Sequence, residues 1–122
     1  MGKHNETGKE GEKFAVQYLI KQGYKIVEIN WRYNHKEIDI ISKFNNQMVF
    51  VEVKTRTTVS FDQPQDSVTK AKIKHLIVAA NAYLLIKNID IDSRFDIITV
   101  QAGDSYKILE HIKDAFKPND LV

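Results

Sequence analysis

The stretch EIDIISKF-NN-QMVFVEVKT, Glu37 to Thr55, decides the fold. Two runs rich in Ile, Val and Phe flank Asn45-Asn46, and such runs are β-prone. Asparagine tolerates the left-handed backbone that a two-residue hairpin turn requires, so the pattern predicts a tight antiparallel hairpin over Glu37–Phe44 and Gln47–Thr55. Alternation then sorts the side chains. Val49, Val51 and Val53 take one face of the second strand, and Phe50, Glu52 and Lys54 take the other. On the first strand Glu37 and Asp39 share a face, with Ile38 and Ile40 opposite. A two-residue turn sets Phe44 against Gln47, which brings Asp39 opposite Glu52 and Glu37 opposite Lys54.

Elements on either side extend the pattern. Thr7 and Glu10 have capping-box spacing, and Phe14, Ala15, Tyr18 and Leu19 recur on one helical face until Gly23. Lys25–Asn30 (KIVEIN) is a short strand. TTVSFDQPQDS, with Pro64, reads as a loop, and Ile73, Leu76, Ile77, Ala80 and Leu84 mark the buried stripe of a long helix. Arg94–Gln101 (RFDIITVQ) is apolar on both faces and therefore expected inside a sheet. YKILEHI closes the chain as a strand after the AGDS turn. The expected fold is α/β, a mixed sheet flanked by helices in the order α-β-β-β-α-β-β, built as one domain over residues 1–122.

Composition narrows the function classes. A hydrophobic fraction of 43% beside 28% charged residues is that of a folded globule, without the apolar run of a membrane span. The absence of cysteine removes disulfide, thiolate-zinc and thiol-nucleophile chemistry. The N-terminal MGKHNETGKEGEK has no apolar core of a secretory signal, so a cytoplasmic protein is expected. Eighteen Lys and Arg against sixteen Asp and Glu leave a net charge of +2, too small by itself to announce a nucleic-acid partner.

The hairpin acids carry the chemistry. Two carboxylates directly opposite on paired strands repel, with Cβ atoms ~5 Å apart, a span that one hard cation can bridge. Lys54 lies ~7 Å along the same face, where it could orient water or meet a developing oxyanion. Two acids and a lysine around Mg²⁺ or Mn²⁺ suit phosphodiester hydrolysis. The same alternation also describes the solvated face of an ordinary hairpin. Phe50 on the polar face argues that this face is partly covered. Arg56 extends the Glu52–Lys54 line and could hold a phosphate or simply end a strand in solvent. Lys70, Lys72 and Lys74 gather near the start of the second helix, where they could grip phosphates or be ordinary surface lysines. Trp31 reads as a core residue more readily than as a base-stacking platform, and His4, His35, His75 and His111 lack metal-ligand spacing.

Asp39, twelve intervening residues, then Glu52-Val53-Lys54 resembles the signature of the PD-(D/E)xK nuclease superfamily. The whole chain is similar to the YraN family of small bacterial endonuclease-like proteins, through GKEGEKFAVQYL, GYKIVEINWR, EIDII, VFVEVKTR, the Pro64 to Lys72 segment, RFDIITV and HIKDAF. The resemblance implies a restriction-endonuclease-like core similar to Holliday-junction resolvases. It implies Asp39 and Glu52 as metal-binding acids, Lys54 as the catalytic lysine, and Glu12 as a helical acid completing the site. Ile38 stands where the superfamily name has proline, and Lys36 where the family usually has glycine. The resulting expectation is a Mg²⁺- or Mn²⁺-dependent endonuclease acting on DNA, branched DNA included, with Arg56, Lys70 and Lys72 on the phosphate backbone. Its rivals are a non-catalytic nucleic-acid-binding module and a structural or regulatory protein with a vestigial site. A two-fold homodimer is expected of a domain this small facing a DNA junction.

Overall fold

The computed structural model describes residues 3–57 and 68–118. Its elements are α1 (Lys3–Lys21), β1 (Lys25–Tyr33), β2 (Lys36–Phe44), β3 (Gln47–Arg56), α2 (Lys70–Ile86), β4 (Ser93–Gln101) and β5 (Lys107–Phe116). They form the expected α/β order around one five-stranded sheet, β1-β2-β3-β4-β5. The sheet is mixed: β3 and β4 run parallel, and the other neighbours are antiparallel. Parallel neighbours need a crossover, and the segment containing α2 supplies it. The loop expected around Pro64 lies outside the described residues. No helix among the described residues is long and apolar enough to cross a membrane.

The hairpin turn forms as its sequence demands. Asn45 and Asn46 both take positive φ, 51° and 61°, the conformation of a two-residue primed turn. Pairing from Phe44↔Gln47 to Ile40↔Val51 follows the register expected from that turn. Several boundaries differ from expectation. Thr7 does not cap α1, because helical backbone already runs from Lys3; Glu6 sits in the first turn, where a carboxylate favours the helix dipole. At the other end the helix stops as expected: Gly23 has φ 94°, and the Tyr24 N–H reaches the Leu19 carbonyl at 2.9 Å in a Schellman closure. β1 continues past Asn30 to Tyr33, and Thr69 caps α2 by accepting from the Lys72 N–H at 3.1 Å.

Each face of the sheet has its own core. Under α1 lie Ala15, Val16, Leu19, Tyr24, Ile40, Val49, Val51, Ile98 and Val100. Under α2 lie Ile38, Ile41, Phe50, Leu76, Ala79, Ala80, Tyr83 and Phe95, with Trp31 packed edge-on against Tyr83 at 5.1 Å between ring centroids. Trp31 is thus a partly buried side chain packed against the core. The expected pairing of Ile38 with Ile40 on one face is wrong, since they occupy opposite cores. The cause is a shared irregularity. Asn30 of β1 has φ 54°, and around it Ile29↔Ile40 and Trp31↔Ile38 stay paired, so both strands change face together.

α1 sits close to the sheet because residue 11 lacks a side chain. A Cβ on Gly11 would run into the Thr55 side chain of β3. Gly11→Ala should therefore destabilise the fold by about 1–3 kcal/mol through overpacking. Thr55→Ala in the same chain should return part of that loss, and a double-mutant cycle of urea melts measures the coupling.

A second constraint lies between α1 and the far strands. Asp96, 1% exposed, accepts from Arg94 Nε at 2.9 Å and Nη2 at 3.0 Å, and from the Asp114 N–H at 3.0 Å. His111 Nε2 lies 2.7 Å from its Oδ2, and the Tyr18 hydroxyl lies 2.8 Å from His111 Nδ1. Asp114, at φ 54° in a β4/β5 register shift, turns its N–H onto the carboxylate. His111 is structural, as expected, but its buried partners were not foreseen. Burial alone would raise the Asp96 pKa; the bonds from His111, Arg94 and Asp114 outweigh it and hold Asp96 below the usual carboxylate range. An acid depressed in this way stabilises the fold above its unfolded pKa, ~3.9, and the contribution is lost as pH falls through the lower folded value. Acid titration of the unfolding free energy should show that loss below about pH 4. Asp96→Asn should abolish it and cost about 3 kcal/mol at neutral pH, because Arg94 keeps a buried charge without its partner.

Candidate functional site

The β2–β3 ladder ends at Ile40↔Val51, one step before Asp39 and Glu52. There Asp39 Oδ2 takes the Val53 N–H at 2.8 Å, supplying with a side chain the acceptor that strand pairing would supply with a carbonyl. The strands part at this bond, and Asp39 stands in the fork. The expected ladder pairs Asp39–Glu52 and Glu37–Lys54 are therefore not formed as such. Glu37 leans instead toward Arg32, at 3.9 Å. Glu52 follows Phe50 on the α2 side, and Phe50 packs edge-on against Tyr83, so the cover expected over this face is present.

Glu52 is 3% exposed. Its Oε2 meets Lys72 Nζ at 3.3 Å, while Oε1 is buried with no hydrogen-bond donor from the described residues. Asp39 is half-buried beside it. Burial, then the Glu52 charge, push the Asp39 pKa up to about 8; the Val53 N–H and Lys72 oppose the shift, and a protonated Asp39 can donate toward Glu52.

Glu12 reaches the same region from α1. Burial, then the Asp39 charge, raise its pKa to about 7, against a hydrogen bond from Asn30. Glu12 and Asn30 line a depression of about 600 Å³ with Lys9, Lys13, Val16 and Ile29. Glu12 is thus coupled to Asp39 electrostatically and anchored on Asn30. No group of three or more acid, histidine or cysteine side chains among the described residues is gathered as a metal-ligand set.

The basic residues separate. Lys54 is half-buried on β3, two residues beyond Glu52 along the same face. Arg56 closes that strand, half-buried, and its carbonyl accepts the Ala102 N–H at 2.7 Å. Lys70 is exposed at the first position of α2. Lys72, expected on phosphates, lies instead against Glu52. Sequence reasoning missed this contact and the role of Asn30. Asparagine's tolerance of positive φ was the one available signal for the latter.

A five-stranded α/β protein with two carboxylates crowded at the fork of its central hairpin is the class these features define. The chain belongs to the family described as "Uncharacterised protein family UPF0102", whose match spans residues 11–100. It is 48% identical over 118 residues to a UPF0102 protein of Bacteroides thetaiotaomicron, and 44% identical over 118 residues to one of Phocaeicola vulgatus; each alignment covers 97% of this chain and 98% of the relative. Among solved structures it is similar to Pyrococcus furiosus SfsA in complex with Ca²⁺, at TM-score 0.44 and 15% identity. That alignment covers 89% of this chain, which spans 64% of the SfsA chain.

The raised Asp39 pKa has a consequence for stability. Between 3.8 and about 8 the folded chain keeps a proton that the unfolded chain releases. Stability of the metal-free protein should therefore fall as pH rises through that window, opposite in sign to the Asp96 contribution. Asp39→Asn keeps an acceptor for Val53 and removes the charge, so it should flatten this slope in urea melts run with chelator from pH 5 to 8.

Proposed function

We propose that this chain is a metal-dependent nuclease of the PD-(D/E)xK type, hydrolysing phosphodiester bonds of DNA, branched DNA included. The observation that carries the proposal is the crowding of Asp39 and Glu52 at the strand fork, with one Glu52 oxygen buried and given no donor by the described residues. Burying two carboxylates side by side is costly unless something positive joins them. Their hard oxygen donors fit Mg²⁺ or Mn²⁺. A divalent cation held there would supply a more acidic water and neutralise charge at phosphorus.

The chain's own residues would divide the remaining tasks. Asp39 and Glu52 hold the cation, and Glu12 faces them from α1 as the assisting acid. Lys54 orients or activates the attacking water and meets charge developing on the phosphate oxygens. Arg56, Lys70 and Lys72 would set the register of the backbone phosphates without reading bases. The resemblance of Asp39…Glu52-Val53-Lys54 to the superfamily signature supports these assignments, and a two-fold dimer would offer a branched substrate two such forks.

The test is incubation of the purified protein with four-way-junction, single-stranded and duplex DNA, in Mn²⁺ or in chelator. Cutting should need the metal, and Asp39→Asn and Glu52→Gln should each lower its rate by roughly a hundredfold or more. Binding without cutting that survives both substitutions would favour the non-catalytic module. Neither binding nor cutting would leave a structural or regulatory protein.

A further inference from the structure

We propose that Lys72 is the exchangeable counter-ion of the acid pair: its ammonium neutralises Glu52 while no metal is bound, and a divalent cation entering the fork displaces it. The proposal rests on the reading of Asp39 and Glu52 as a cation site and adds a resident competitor to it.

Four observations converge on Lys72. Its ammonium lies 3.3 Å from Glu52 Oε2, and the two partners differ sharply in exposure, 47% for the lysine side chain and 3% for the acid. Glu52 is fixed in the core, whereas Lys72 approaches from solvent on a flexible stem and can withdraw without being stripped of water. The acids act on it jointly. Burial would lower the Lys72 pKa, but Glu52, Asp39 and Glu37 together hold it above the usual lysine value. Its position in the helix does not account for it, because Lys72 sits in the first turn of α2, where the dipole disfavours a cation and no acid is present. Finally, Lys72 engages only one Glu52 oxygen, and Oε1 remains buried without a donor among the described residues.

Charge balance makes the exchange necessary. A dication bound by both acids would stand within a few ångströms of the ammonium, and like charges at that range repel strongly in a partly buried site. Lys54 differs in kind: it belongs to the rigid strand and makes no ion pair among the described residues. Two lysines thus flank the acids, one held by the sheet and one held by the charge it neutralises.

The measurement is Mn²⁺ affinity of the intact chain by titration calorimetry at pH 7.5, without DNA, with folding checked by circular dichroism. Lys72→Met keeps the stem and removes the competing charge, and should tighten Mn²⁺ binding about three- to thirtyfold. Lys72→Arg keeps the charge and should stay within about threefold of the unsubstituted chain. Lys113→Met, on exposed β5, controls for a general change in net charge and should have no effect. Equal affinity in Lys72→Met and the unsubstituted chain, or weaker affinity in the variant, would overturn the counter-ion role and leave the metal site standing. Loss of measurable Mn²⁺ binding from every chain would remove the metal site itself, and the exchange with it.

Discussion

The hydrogen bond from the Val53 N–H to Asp39 Oδ2 is the constraint on which the candidate site depends. A ladder carbonyl at that place would keep the two strands together and leave Asp39 pointing away from the sheet. A carboxylate in the same role ends the ladder, draws Asp39 into the gap and sets it beside Glu52. β1 must follow β2 through this change of face, and it does so through the positive φ of Asn30. Asn30 in turn anchors Glu12, so the acid from α1 is tied to the irregularity that opens the fork. The close approach of α1 at Gly11 makes that reach short enough to matter.

Local signals made much of this legible. The Asn45-Asn46 turn, the hairpin register and the two faces of β3 follow from side-chain period and from the one residue type that accepts left-handed backbone readily. Phe50 beside Glu52 announced cover over the acids, and α2 supplies it. The face change at Asp39 was not legible, because it arises from Asn30 on another strand and from a side chain acting as backbone acceptor. The Lys72–Glu52 pair was hidden for a different reason. It joins α2 to β3 across an intervening segment whose path no periodicity describes. Helix lysines at such spacing look the same in solvent as against a buried acid.

Arg94 and Asp96 were the clearest missed signal. Both lie in a strand read as apolar on both faces, and their spacing of two places them on one face. An opposite-charge pair on one face of an interior strand requires either solvent or a buried network, and here α1 and β5 close the network with Tyr18 and His111. Its effect is to join the first helix to the far edge of the sheet. The helix that carries Glu12 is thereby held at both sides, by Gly11 against β3 and by Tyr18 against His111.

The chain thus buries carboxylates in two places and treats them in opposite ways. Asp96 receives a bidentate arginine, a histidine and a backbone N–H, and its pKa falls. That is how a folded protein satisfies a charge it keeps for structure. Asp39 has one backbone donor and a second carboxylate for a neighbour, and its pKa rises. The same fold that supplies four donor contacts to one acid leaves another crowded and gives one Glu52 oxygen no donor among the described residues. Stability alone would select against the second arrangement, since an amide at Asp39 would keep an acceptor for the Val53 N–H and relieve the repulsion at little cost in shape. Local electrostatic strain set against a fully satisfied counterexample in the same sheet supports the proposed cation site at the fork. It separates the fork acids from ordinary hairpin charges more firmly than their spacing in the sequence could.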